Sequence, residues 1–255
     1  VSTSRMPQGN FAKALSKSTP IWGGWITGPT LIGPEEFARA GYDYVGFDAQ
    51  HGYLDDADIA GVLRRLEQVP IATAVRLPNA DPAPIGRVLD AGADAVFIAM
   101  IESADQAAAA VAATRYPPVG VRSFGPLRAG LGLNPAVHEA RASVFAMIET
   151  VPALTNLTDI CAVDGLAGIY VGPADLAISM GHDVVGSTRH RAVLDAIVEV
   201  HRVATKAGLV TGIHASEGKT GHAMAQLGFR MITLAAESAA LRRGAIEHLR
   251  EATGQ

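Results

Sequence analysis

At 255 residues, with 49% apolar and 18% charged side chains, the chain suffices for one large α/β barrel or two small domains, and its composition excludes a disordered polymer. Lys plus Arg number 21 against 25 Asp plus Glu, a formal charge of −4 that implies neither a nucleic-acid footprint nor a basic membrane patch. A single cysteine, Cys161, rules out an internal disulfide framework, and its apolar neighbours suit a buried structural thiol rather than a nucleophile. No apolar run approaches the roughly 20 residues needed to span a bilayer, and the first 20 residues hold no uninterrupted signal-peptide core, so the expectation is a soluble cytoplasmic protein.

In chain order, a short helix around Asn10 to Leu15 precedes a strand from Pro20 to Ile26 that carries Trp22 and Trp25 and stops at Gly28-Pro29. Pro34 to Ala40 reads as helix, Tyr42 to Phe47 as a second strand, and Asp56 to Leu66 as an amphipathic helix capped by Asp55 or Asp56. Ile71 to Val75 is a third strand ending on Arg76, followed by a helix opened by Asp81-Pro82 and closed by Leu89-Asp90-Ala91-Gly92. Ala95 to Ile98 and Ser103 to Ala113 form the fourth pair, and a long connection rich in Pro and Gly runs from Arg115 to His138. Strands at Ala142 to Ile148 and Leu166 to Val171 flank a crossover helix over Thr150 to Val163. Ser187 to Lys206 (helix), Leu209 to Ile213 (strand), Gly218 to Leu227 (helix), Met231 to Leu234 (strand) and Ala239 to Glu251 (helix) complete the chain. Eight strand-then-helix units without a linker predict a single (β/α)8 barrel over residues 1–255. A doubly wound sheet is disfavoured because no G-x-G-x-x-G turn follows the first strand.

In such a barrel the reactive groups gather where strands end, and Asp48, His51, Arg76, Glu149 and Asp175 all fall there. Glu149 and Asp175 sit on adjacent strand ends, where two carboxylates converge on one hard divalent cation such as Mg or Mn; alternatively each simply caps the helix after it. His51 suits a general base, with Asp48 as a local candidate to orient its ring. Arg76 offers a planar fork to the carboxylate or carbonyl of a 2-oxo acid, and the Gly172-Pro173-Ala174-Asp175 turn opens a helix whose free amides favour an anion. Arg122 reads either as a second anion contact or as a residue that orders its loop. His214 follows strand seven within reach of the rim; with Glu102 and Arg128 it is a candidate for the distal pocket. Together these groups suit the stabilisation of an enolate in an aldol or retro-aldol reaction.

These stretches resemble the HpcH/HpaI class II pyruvate aldolases over almost the full length. The resemblance rests on Phe47-Asp48-Ala49-Gln50-His51-Gly52, Ala74-Val75-Arg76-Leu77-Pro78, Leu89-Asp90-Ala91-Gly92, Arg115-Tyr116-Pro117-Pro118 with Gly120-Val121-Arg122, Ile148-Glu149-Thr150 and Gly172-Pro173-Ala174-Asp175-Leu176. It implies a (β/α)8 barrel in which Glu149 and Asp175 bind a divalent metal (Mg, Mn or Co) and Arg76 holds the pyruvate oxygens. The Gly172 to Asp175 backbone would bind the carboxylate, with His51 as acid/base supported by Asp48 and by Asp90 of a neighbouring subunit. Trp25, Gln50 and Arg122 complete the expected substrate-binding set. The implied partners are a small 2-oxo acid and an aldehyde, with no nucleic acid and no membrane, in a hexameric trimer of dimers that exchange their last helix. Gln50 replaces the family's usual glutamate, Met147 its usual glutamine, and Ser123-Phe124 a Gly-containing pair, so metal choice and substrate preference are expected to differ. Rival expectations are a decarboxylase or other carbon–carbon lyase acting on a dicarboxylic oxo acid such as oxaloacetate, and a non-catalytic oxo-acid-binding barrel.

Overall fold

A computed structural model describes residues 10–30 and 32–254, so the reading of the N-terminal segment falls partly, at residues 1–9, outside the described residues. The elements run α1 (Asn10–Leu15), β1 (Ile21–Ile26), α2 (Gly33–Arg39), β2 (Tyr44–Asp48), α3 (Asp56–Arg65), β3 (Ala72–Leu77), α4 (Pro82–Asp90), β4 (Ala95–Ile98) and α5 (Ala104–Ala112). They continue as α6 (Pro135–Arg141), β5 (Ser143–Ile148), α7 (Val151–Thr155), α8 (Leu157–Cys161), β6 (Gly168–Val171), α9 (Pro173–Ser179), α10 (Arg191–Lys206), β7 (Val210–His214), α11 (Gly218–Gln226), β8 (Met231–Ala236) and α12 (Glu237–Thr253). The strands form one closed parallel barrel in sequence order, β8 pairing back onto β1, which is the expected (β/α)8 architecture. Among the described residues no helix is long and apolar enough to cross a membrane.

Side chains alternate across each strand, and that alternation divides the core in two. Ile21, Trp25, Tyr44, Ala72, Ala74, Ala95, Phe97, Phe145, Met147, Tyr170 and Met231 fill the barrel with Phe11 and Ala14 of α1. Their neighbours, among them Val45, Phe47, Val75, Leu77, Val96, Ile98, Ile148, Val171, Ile213 and Ile232, face the helices. Large rings opposite alanines interdigitate into a solid interior. Phe11 closes the N-terminal end edge-on to Tyr44 and Phe145 at 5.4 and 5.7 Å. Trp25 lies over Gly46, where any Cβ would strike the indole, and stacks nearly parallel to Phe97 and Tyr170.

Local chemistry sets the helix starts. Asp55 and Asp58 form a reciprocal capping box on α3, Asp81 caps α4 before Pro82, and Ser103 and Thr150 cap α5 and α7. Three expectations are corrected. The Arg115 to His138 connection ends in α6, because Asn134 accepts the Ala136 N–H and Pro135 starts a helix. The single helix over Thr150 to Val163 is two, α7 and α8, broken at Asn156, whose Nδ2 donates to the Glu102 carbonyl at 2.7 Å. Residues 187–189 form a 3-10 turn before α10 rather than its first turn.

Candidate active site

One step beyond the aromatic layer, the same inward alternation turns polar: Asp48 after Gly46, Arg76 after Ala74, Glu149 after Met147, Gly172 after Tyr170 and His214 after Gly212. These groups meet at the C-terminal end of the barrel, over a cavity of about 630 Å³. Trp25, His51, Arg76, Met147, Tyr170, Gly172 to Asp175 and His214 line it, as do Ser187 to Arg189 before α10, Glu217 after β7 and Thr220 in the first turn of α11.

Asp48 and Arg76 are direct partners in the β2–β3 ladder. Arg76 Nε donates to Asp48 Oδ1 at 2.9 Å and its Nη2 donates to Oδ2, a two-pronged ion pair with Asp48 1% exposed. The Gln50 and His51 amides donate to Oδ1 at 3.0 and 3.1 Å, and Trp25 Nε1 donates to Oδ2 at 3.3 Å. Burial pushes the Asp48 pKa up, but the bonds and charge of Arg76 together with the two amides outweigh it and hold the carboxyl below its ordinary range. The link from Asp48 to His51 is thus to the backbone N–H: the carboxylate fixes the turn that carries the histidine, and its fork is taken by Arg76. Arg76 also lies 5.3 Å from the Trp25 ring centroid, a cation–π contact that presents its remaining edge to the cavity.

Glu149 is 2% exposed. Its Oε1 accepts the Met100 N–H at 2.8 Å, and Met100 reaches that position at φ 55°, a left-handed conformation that a long side chain seldom adopts. Its Oε2 is buried without a hydrogen-bond partner. Burial raises the Glu149 pKa; the Met100 amide opposes this and the nearby charge of Asp175 adds to it. Asp175, half-buried, stands in the first turn of α9. At Gly172 a Cβ would collide with Glu149 Oε2, so the missing side chain keeps the space above that oxygen open. An orphaned carboxylate oxygen, a second carboxylate beside it and an open approach fit a hard divalent cation. No cluster of three or more potential His, Cys, Asp or Glu ligands exists among the described residues, so the protein offers two carboxylates and leaves other positions to solvent or substrate.

The Leu176 amide donates to Gly172 O at 3.0 Å, so the Ala174 and Asp175 amides precede the first helical bond of α9, beside the cavity. Gln50 Oε1 is buried and unpartnered, and Gln50 does not line the cavity. Arg122 and Asp90 are not brought to the cavity in this chain. Arg122, 2% exposed, donates from Nη2 to Asp90 Oδ1 at 2.7 Å and lies 4.9 Å from the Tyr116 ring centroid. Of its two readings the geometry within this chain fits loop ordering: Arg122 ties its own loop to Asp90 and Tyr116. Arg128 pairs with Glu67 at 3.2 Å and Glu102 gives its carbonyl to Asn156, so neither reaches the cavity, whereas His214 does. Cys161 is buried and its thiol is pushed up to about 11 by burial, as befits an inert packing group. Sequence reasoning missed Tyr170, hidden in an apolar run; its shared alternation with Gly168 and Gly172 is the signal that points it inward.

The chain is similar to known proteins over most of its length. A protein of Rhizorhabdus wittichii named hydroxypyruvate/pyruvate aldolase is 34% identical over 241 residues, covering 93% of this chain and 96% of the relative. The 4-hydroxy-2-oxovalerate aldolase of Rhodococcus jostii is 37% identical over 215 residues, 81% of each chain. A crystal structure of an HpcH/HpaI aldolase/citrate lyase family protein from Burkholderia cenocepacia superposes with a TM-score of 0.87 at 30% identity, covering 95% of this chain and 98% of that one. With residues 23–243 matching the family description as well, the chain belongs to the HpcH/HpaI aldolase/citrate lyase family.

Proposed function

We propose that this protein is a divalent-metal-dependent lyase that cleaves 4-hydroxy-2-oxo acids to pyruvate, or a related 2-oxo acid, plus an aldehyde, and runs the addition in reverse. The observation that carries the reading is the buried, unpartnered Oε2 of Glu149, kept open by Gly172 and placed near the charge of Asp175. Glu149 and Asp175 would hold the cation, which when bound supplies Lewis acidity toward the 2-oxo group.

The remaining work falls to side chains and amides. The Ala174 and Asp175 N–H groups suit the substrate carboxylate. Arg76, locked by Asp48 and Trp25, offers preorganised positive charge to the oxygen that becomes negative as the C3–C4 bond breaks; little reorganisation is needed there. His51, held by its backbone bond to Asp48, takes the C4 hydroxyl proton in cleavage and returns it in addition. The aromatic floor of Trp25 and Tyr170 keeps bulk water from the enolate.

The chain is read as one barrel domain that assembles with copies of itself into a hexamer. Support comes from α12, none of whose residues is buried and whose Leu241 and Leu249 are 74% and 64% exposed, as expected of a helix that docks on another subunit. The functional test is product analysis with a simple 4-hydroxy-2-oxo acid. Equal release of pyruvate and aldehyde, lost in Glu149→Ala and His51→Ala, supports the reading. Carbon dioxide from oxaloacetate without any aldehyde release favours the decarboxylase instead.

A further inference from the structure

His214 occupies the cavity wall supplied by β7, yet none of the steps above uses it. Its position is fixed from three sides. In the ladder it is opposite Thr233, and the next two amides, of Ala215 and Ser216, both donate to the Thr233 carbonyl at 2.9 and 3.3 Å. Its ring stands edge-on to Trp25 at 5.1 Å between centroids. Its Nδ1 lies 3.5 Å from Tyr170 Oη, the outer end of a buried hydroxyl chain: Tyr170 Oη to Thr233 Oγ1 at 2.6 Å, and Thr233 Oγ1 to Tyr44 Oη at 2.8 Å. Gly212 permits this chain, since a Cβ there would lie 2.8 Å from Tyr170 Cδ2 and displace the ring. Burial, reinforced by the charge of Arg76, pushes the imidazole down to about 4, so at neutral pH it is uncharged.

A neutral imidazole with Nδ1 turned to a tyrosine has Nε2 left for the cavity, and it neither attracts a carboxylate nor repels a cation. The polar group that matches such a nitrogen in either tautomer is a hydroxyl, which both donates and accepts. We infer that His214 is a specificity-determining residue that hydrogen-bonds a hydroxyl group carried by the substrate, on the carbon next to the carbonyl of the 2-oxo acid or of the aldehyde. Substrates lacking that hydroxyl leave Nε2 without this partner, which sets a preference for hydroxylated partners.

This inference rests on the aldolase reading and is tested with two matched pairs: hydroxypyruvate against pyruvate as donor, and glycolaldehyde against acetaldehyde as acceptor. Relative kcat/KM within each pair is measured for wild type, His214→Leu and His214→Gln, alongside calorimetric Kd values for the members of both pairs. The expected result is a wild-type preference of about tenfold or more for the hydroxylated member of one pair, abolished in His214→Leu and partly kept in His214→Gln. The pair affected identifies which substrate carries the hydroxyl. No preference in wild type, or an equal preference in wild type and His214→Leu, overturns the inference. If wild type turns over no pair, the aldolase reading falls, and the ratios of Kd values within both pairs, measured in wild type and His214→Leu, still decide on His214: equal ratios in the two proteins overturn the inference.

Discussion

Asp48 and Arg76 sit opposite one another on adjacent strands, and their paired hydrogen bonds aim the guanidinium at the cavity while Asp48 simultaneously anchors the turn bearing His51. Asp48→Asn keeps the shape but removes the charge that pairs with a nearly buried arginine. We expect a loss of about 3 kcal/mol in stability, together with a rise in KM for the oxo acid of about tenfold or more. Urea unfolding and steady-state kinetics check both. Because the Asp48 pKa is depressed on folding, its contribution is complete above the ordinary aspartate range and disappears only as pH falls through the lower, folded value.

Gly172 has an ordinary backbone conformation, φ −100°, so alanine is acceptable to the chain itself. Its Cβ nevertheless meets Glu149 Oε2. Gly172→Ala is therefore expected to fold normally by circular dichroism and to weaken Mn affinity about tenfold or more in calorimetry. Undiminished affinity would place the cation elsewhere.

His214 links pH to stability. Its folded pKa, about 4, lies below the ordinary histidine value of 6.5, so between those values the unfolded chain takes up a proton that the folded protein refuses. Stability from this group thus falls as pH drops from 6.5 toward 4, by about 2 kcal/mol. Urea unfolding at pH 7 and pH 4.5 should show this decrement in wild type, and a smaller one in His214→Leu.

Much of this arrangement is legible in the sequence because period-two alternation survives in the strands. The barrel follows from eight apolar runs, and Glu149 and Asp175 stand out as acids at the ends of two of them. What escapes is what depends on register and crossover. That Asp48 meets Arg76 rather than the His51 ring is a fact of the β2–β3 ladder, and the burial of Arg122 against Asp90 joins a loop to a helix 32 residues earlier. Ser187 to Arg189, Glu217 and Thr220 reach the cavity from segments that follow the strand ends, and that approach depends on how the loops fold back over the barrel mouth.

The exposed apolar side chains of α12 make assembly testable. The pair of changes Leu241→Glu and Leu249→Glu should shift the protein to a smaller species in light scattering, with helix content retained. An unchanged mass would remove α12 from the interface.

We propose that buried Glu149 and half-buried Asp175 together make this barrel a metal-dependent aldolase. The most direct measurement is pyruvate release from a 4-hydroxy-2-oxo acid by chelator-treated protein, before and after Mg, Mn or Co is added back. Negligible turnover is expected after chelation, restored by at least one of these cations in wild type and by none in Glu149→Gln. Full turnover that ignores the chelator would contradict the proposal.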